Sequence, residues 1–172
     1  MTSDTSFIPL DGGCECGAVR FRIESAPIIT HCCHCRLCQA ATGSAFALNT
    51  MIETDRLTVL QGAPAEAPGL RGWTSVQCPA CATGVWSHHP QLGKAIAFVG
   101  VGLLDEGERL PPEAHYFTRS KHPWVTLPPG VVAFEQLGDP GKAEAGPRIM
   151  AALAAAGGGR ALQDYTGGPA ET

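Results

Sequence analysis

Between His31 and Cys38 the chain reads HCCHCRLC, four thiols and two imidazoles in eight consecutive positions. Soft side chains at this density point to a transition metal or to thiol chemistry, because a hydrophobic core has little use for so many sulfurs in one loop. Metal ligands come in sets that close a coordination sphere, so the other cysteines decide how this stretch is read. Cys14-Glu15-Cys16 and Cys78-Pro79-Ala80-Cys81 supply two close-spaced pairs far apart in sequence. That is the usual construction of a tetrahedral four-thiolate zinc site, with Zn–S distances of about 2.3 Å. Such a site clamps two turns together, adds to folding energy and offers a substrate no open position.

Cys33, Cys35 and Cys38 remain, in a C-x-C-x-x-C spacing. A second zinc held by these three would be one ligand short of tetrahedral closure, its fourth place open to water or an exogenous thiol. The other reading of the same residues is that Cys32, His31 or His34 closes the sphere and makes the second metal inert. His34 lies between two candidate ligands, so its ring is expected to point away from a metal that both neighbours face. Three thiolates give zinc a net negative formal charge, which makes it a poor Lewis acid for water and suits it to thiol exchange.

Of 172 residues, 12 are Lys or Arg and 16 are Asp or Glu, a net charge of −4, and the basic residues never form a run. Nucleic acid, which requires concentrated positive surface, is therefore not an expected partner. The start, MTSDTSFIPLDGG, has neither the basic opening nor the apolar stretch of a secretory signal, and no transit peptide is evident. The apolar run IMAALAAA has eight residues, against the ~20 that a membrane span needs. A cytoplasmic protein without a membrane segment is the expectation. In a reducing compartment the 8 cysteines argue for metal rather than disulfides. Neither Cys14 with Cys16 nor Cys32 with Cys33 easily reaches a relaxed disulfide geometry.

Strands must position these ligands. GAVRFRIE (17–24) alternates Val19, Phe21 and Ile23 with Arg20, Arg22 and Glu24, the period of a half-buried strand. RLTVLQG (56–62), GVWSHH (84–89), AIAFVGVGLL (95–104) and HYFTR (115–119) also read as strands, rich in β-branched or aromatic residues and bounded by Gly or Pro. With 21 Gly and 14 Pro breaking any amphipathic pattern before residue 140, an all-β class follows. RLCQAATG predicts one helical turn ending at Gly43 with Cys38 inside it. After Leu137 the chain turns to Gly, Ala and Pro. The expectation is a domain over 8–137 and a flexible or short-helical tail over 138–172, with Pro147 opening a short helix and Gly157 to Gly159 closing it. Such a tail is expected to be dispensable for folding, its role an oligomer contact.

Five stretches then carry a resemblance: GGCECGAVRF, CHCRLCQAATGSAF, CPACATG, GLLD (102–105) and HYFTRSKHPW (115–124). In this order, over residues 8–137, the chain resembles the glutathione-dependent formaldehyde-activating enzymes, grouped with centromere protein V (the CENP-V/GFA family). The resemblance implies a β-tent of antiparallel sheets. It implies a structural zinc on Cys14, Cys16, Cys78 and Cys81, and a labile, substrate-facing zinc on Cys33, Cys35 and Cys38. It also implies carbon–sulfur lyase chemistry of the S-(hydroxymethyl)glutathione synthase kind, joining glutathione or a similar thiol to formaldehyde or another small aldehyde. Two departures stand out: Ala82 where the family usually has Gly after the CxxC, and Cys32 as an extra thiol. The basic segment through which centromere protein V looks like a chromosome and microtubule partner has no equivalent in this acidic chain.

Glutathione carries two carboxylates, for which Arg36, Arg71, Arg119 and Lys121 are candidate partners. His115 is a candidate proton donor or a structural histidine, and Trp124 is expected to plug the core. Cys35, in the middle of its set, is the expected site of exchange with glutathione. The competing reading is a zinc-stabilised glutathione- or partner-binding module without turnover, and a rate above the spontaneous thiol–aldehyde reaction separates the two.

Overall fold

The computed structural model describes residues 6–137 and 145–156. In chain order the described residues form β1 (Leu10–Gly13), β2 (Arg20–Ile23), β3 (Ile29–Cys33), α1 (Arg36–Thr42), β4 (Ala47–Glu53), β5 (Leu57–Gln61) and β6 (Ala65–Pro68). β7 (Thr74–Gln77), β8 (Gly84–His88), β9 (Ile96–Gly100), β10 (Ala114–Tyr116), β11 (Val132–Ala133) and α2 (Ala145–Ala155) follow. A three-stranded sheet has the order β1-β2-β5, and an eight-stranded sheet the order β11-β10-β3-β4-β9-β8-β7-β6. The all-β class is as expected, with two short helices and one sheet that is mixed. β10 runs parallel to β3, pairing Ala114 with His31, His115 with Cys32 and Tyr116 with Cys33, and β11 runs parallel to β10.

The residue pattern explains why the middle of the large sheet is buried on both faces. On β9, Ala97 and Val99 join a core with Phe21 and Ile23 of the small sheet, while Ile96 and Phe98 point the other way into a second cluster. β4 divides likewise, Ile52 to the first core and Met51 to the second. Successive side chains on a strand alternate faces, so a strand covered on both sides reads as a continuous apolar run. β2 borders the first core on one face only, and Phe21 and Ile23 are buried while Arg20 and Arg22 are half-buried.

Helix α2 covers part of the second face. Ile149 and Leu153, one turn apart, are buried in the cluster with Ile28, Met51, Leu92, Ile96 and Phe98. Arg148 forks onto Glu53 at 2.9 and 2.6 Å and donates to the carbonyls of Pro27 (2.7 Å) and Ala26 (3.0 Å). The composition after Leu137 offers few large side chains, but these three reach the sheet, so the helix is docked where a dispensable tail was expected. Gly157 to Gly159, expected to end it, lie outside the described residues.

Other boundaries differ from the sequence pattern. The run 95–104 stops being a strand at Gly100 and continues as a 3-10 turn over Val101–Leu103. The strand expected over 115–119 ends at Tyr116, because Phe117 takes a left-handed φ of 58°. Among the described residues no helix is long and apolar enough to cross a membrane.

Candidate metal centres

Two hairpin turns build the four-cysteine cluster. Cys14 and Cys16 lie in the turn joining β1 to β2, so a strand precedes them as well as follows them; Cys78 and Cys81 lie in the turn from β7 to β8. The first turn is closed by Cys14 N–H to the Val19 carbonyl and Gly17 N–H to the Cys14 carbonyl, both 3.0 Å. The second is closed by Cys78 N–H to Thr83 O and Ala82 N–H to Cys78 O, both 2.9 Å. All four Sγ atoms lie within 4.8 Å of one another. Cys14 to Cys16 is 3.5 Å and Cys16 to Cys78 is 3.8 Å, close to the ~3.8 Å edge of a tetrahedron with zinc–sulfur bonds of 2.3 Å. The Val19 N–H donates to Cys14 Sγ at 3.2 Å, and Cys81 Sγ lies 3.1 Å from the Thr83 hydroxyl. That hydroxyl is the largest influence drawing the Cys81 thiol below its ordinary range. The donor set therefore fits a soft, thiophilic cation, with hydrogen bonds already directed at the sulfurs.

Ala82 carries the cost of the second turn. Its φ is 58°, in the left-handed region where a Cβ costs roughly 1–2 kcal/mol and glycine is at home.

The three-cysteine cluster is assembled where β3 ends and α1 begins. Cys33 closes β3; Cys35 is the N-cap of α1, its sulfur accepting the Cys38 N–H at 3.4 Å; Cys38 sits in the first turn. Gly43, with φ 63°, caps the helix at the expected place. The three Sγ atoms again lie within 4.8 Å of one another. Hydrogen bonds from Cys33 and Cys38 hold the Cys35 thiol far below its ordinary range, and the same contacts push Cys33 and Cys38 up. Three thiols this close hinder one another's ionisation, and a soft cation is what would let all three ionise.

No further Cys, His, Asp or Glu joins this group among the described residues. Cys32 pairs across to Leu48 of β4 and His115 of β10, and as the neighbour of Cys33 on one strand it faces the opposite side of the sheet. It is buried, and burial pushes its thiol up to about 11. The His34 ring turns away as expected: Nε2 lies 2.9 Å from Nδ1 of His115, the two rings stacked 5.2 Å apart. Burial is the largest influence lowering both imidazoles from their ordinary range. His31 packs edge-on against Phe98 and Tyr116.

The candidate substrate-binding residues divide. Arg36, exposed beside Cys35, donates from Nη1 to Gln39 Oε1 at 2.8 Å. Lys121 donates from Nζ to the carbonyls of His122 (3.2 Å) and Val125 (2.6 Å), and its charge acts on His34. Arg119 is exposed in the Thr118–Ser120 turn, and Arg71 is exposed in the Leu70–Gly72 turn between β6 and β7. His115 is buried and bonded to His34. Trp124 does not plug the core: it is 70% exposed and stacks flat on His122 at 5.2 Å, because the turn closed by Val125 N–H to His122 O carries it outward. Sequence reasoning missed Gln39, buried between these pieces; a lone amide in a short helix gives no signal of its own until its partners are seen.

Residues 9–120, which contain both cysteine clusters and the strands that carry them, match the family described as glutathione-dependent formaldehyde-activating enzyme. The chain belongs to that family. Among its relatives is a Halomonas elongata protein provisionally named a glutathione-dependent formaldehyde-activating enzyme. It is 31% identical over 127 residues, which span 69% of this chain and 80% of the relative. A crystal structure of a Rhodobacter sphaeroides protein is also similar, at 21% identity and a TM-score of 0.43 over 56% of this chain and 88% of that one. α2 lies beyond the residues that match the glutathione-dependent formaldehyde-activating family.

Proposed function

We propose that this chain joins glutathione, or a similar small thiol, to formaldehyde or another small aldehyde as an S-hydroxymethyl adduct. The reaction is of the carbon–sulfur lyase type, at a zinc held by Cys33, Cys35 and Cys38. Cys14, Cys16, Cys78 and Cys81 hold a second, structural zinc. The observation that carries the reading is the incomplete set: three convergent sulfurs with no fourth described ligand, beside a cluster of four that is complete. When bound there, zinc supplies a site at which an incoming thiol loses its proton near neutral pH.

The chain's own residues do the rest. Arg36, exposed at the start of α1, offers a charge-assisted partner to a glutathione carboxylate, and Arg119 and Lys121, in the segment after β10, are further candidates. Cys33, Cys35 and Cys38 bring the thiol to a fixed place next to the aldehyde, which is already electrophilic and needs mainly proximity and a proton for the oxygen it leaves negative.

Magnetisation-exchange NMR on an equilibrium mixture of glutathione, formaldehyde and their adduct tests the reading. The metal-loaded protein is expected to speed exchange above the spontaneous rate, and Cys35→Ser to abolish the gain while keeping the fold. Exchange at the spontaneous rate, with glutathione still bound, would leave a binding module without turnover.

A further inference from the structure

Gln39 is a buried side chain whose amide joins the backbone beside Cys35, the guanidinium of Arg36 and the turn after β10. Nε2 donates to the His34 carbonyl at 2.7 Å and to the Ser120 carbonyl at 3.0 Å; Oε1 accepts from Arg36 Nη1 at 2.8 Å. Its backbone N–H returns to the Cys35 carbonyl at 3.0 Å, and its carbonyl accepts the Gly43 N–H that ends the helix at 2.9 Å.

The His34 carbonyl matters because it belongs to the His34–Cys35 peptide, whose plane helps set where the Cα–Cβ bond of Cys35 points, while the His34 N–H belongs to the preceding peptide, which carries Cys33. The His34 N–H is fixed on the other side by the Tyr116 carbonyl at 2.9 Å. The arc carrying two of the three sulfurs is thus held at one end by β10 and at the other by Gln39. The bond to Ser120 ties in the turn that bears Arg119 and Lys121, and the bond from Arg36 orients a guanidinium over the same helix turn.

We infer that Gln39 is the positioning residue of this site: it fixes the Cys33–Cys35 arc in the converged geometry and, through Oε1, holds Arg36 ready for the thiol's carboxylate. This rests on the reading of Cys33, Cys35 and Cys38 as a metal-binding, thiol-exchanging site. Groups that orient ligands through hydrogen bonds typically change metal affinity by about 10- to 100-fold when removed.

Two variants isolate the effect. Gln39→Met keeps the length and loses every side-chain hydrogen bond; Gln39→Glu keeps an acceptor for Arg36 and loses both donors. Cobalt(II) is titrated into the metal-free protein, and the thiolate-to-cobalt charge-transfer band reports each equivalent in turn. Both variants are expected to bind the first equivalent as the unaltered protein does and to melt within a few degrees of it, while the second equivalent weakens at least about 10-fold. Unchanged affinity for the second equivalent overturns the inference, and so does parallel weakening of both equivalents with a large loss of melting temperature. If the unaltered protein takes up only one equivalent, the proposed function fails on its own account. The inference is then decided by iodoacetamide labelling of the metal-free protein. Gln39→Met is expected to change the relative alkylation rates of Cys33, Cys35 and Cys38 by several-fold, and an unchanged pattern overturns it.

Discussion

Replacing Arg148 by Met tests whether α2 is a structural part of the β core. Glu53 is 8% exposed, and Arg148 supplies both carboxylate oxygens with a donor; with Arg148 gone, the cation left paired with Glu53 among the described residues is Arg56 at 3.9 Å. Stripping one partner from a fully buried ion pair costs about 3–5 kcal/mol. Because the Arg148 side chain is 34% exposed, solvent screening brings the expected loss to about 2 kcal/mol. At about 2–4 °C per kcal/mol for a chain of this size, the melting temperature should fall by about 4–8 °C. The double variant Arg148→Met with Glu53→Gln should recover part of that loss, since it leaves no buried carboxylate without its partner. The pH dependence has a definite sign. Burial is the largest single influence and pushes the Glu53 carboxyl up, but the hydrogen bonds from Arg148 and the backbone and the charges of Arg148 and Arg56 together outweigh it, and the carboxyl lies below its ordinary 4.5. The pair's stabilisation is therefore fully present above 4.5 and lost as pH falls through the lower folded value. Urea unfolding from pH 7 to pH 3 should show the two proteins far apart at neutral pH and converging in acid. A difference under about 0.5 kcal/mol at pH 7, or one that stays constant with pH, would refute the reasoning.

Other expectations follow from the cysteine turns. Ala82→Gly should raise stability by about 0.5–1 kcal/mol in urea unfolding, because relief of the left-handed strain exceeds the entropy that glycine adds to the unfolded chain, and the exposed Cβ packs on nothing. Cys14→Ser with Cys81→Ser should remove one metal equivalent by mass spectrometry and lower the melting temperature by more than about 10 °C, while Cys35→Ser leaves it within about 2 °C. Cys32→Ala should cost about 1 kcal/mol of packing and leave the metal count unchanged, since its thiol faces away from the cluster.

The sulfur sets could be read from spacing alone, because a CxC and a CxxC need only local turns to bring each pair together, and the fold then joins them. β2 was legible for the same kind of reason: one face is wet, so Arg20 and Arg22 mark the period. β3 and β4 were not, since Ile29 and Cys33 on one face and Thr30 and Cys32 on the other are both covered, and no alternation survives in the residue types. A short helix near Pro147 was legible, and α2 starts two residues before it, but the docking of that helix hid behind its alanines. Its affinity for the sheet comes from Ile149, Leu153 and one arginine whose partner stands 95 residues earlier, a relation no local pattern contains. Trp124 shows the opposite failure, a large apolar residue that sequence assigns to the interior and a tight turn holds outside.

The two clusters differ in one respect that bears on how a protein can afford a labile site. A metal on the first would cross-link Cys16 to Cys78, 62 positions apart, and a tie across a loop of that length restricts the unfolded chain by about 4 kcal/mol. The second would tie together residues only a few positions apart, which the turn from β3 into α1 already holds in place. Losing its metal therefore releases almost no chain entropy. One knot fastens the garment; the other can be untied while it is worn.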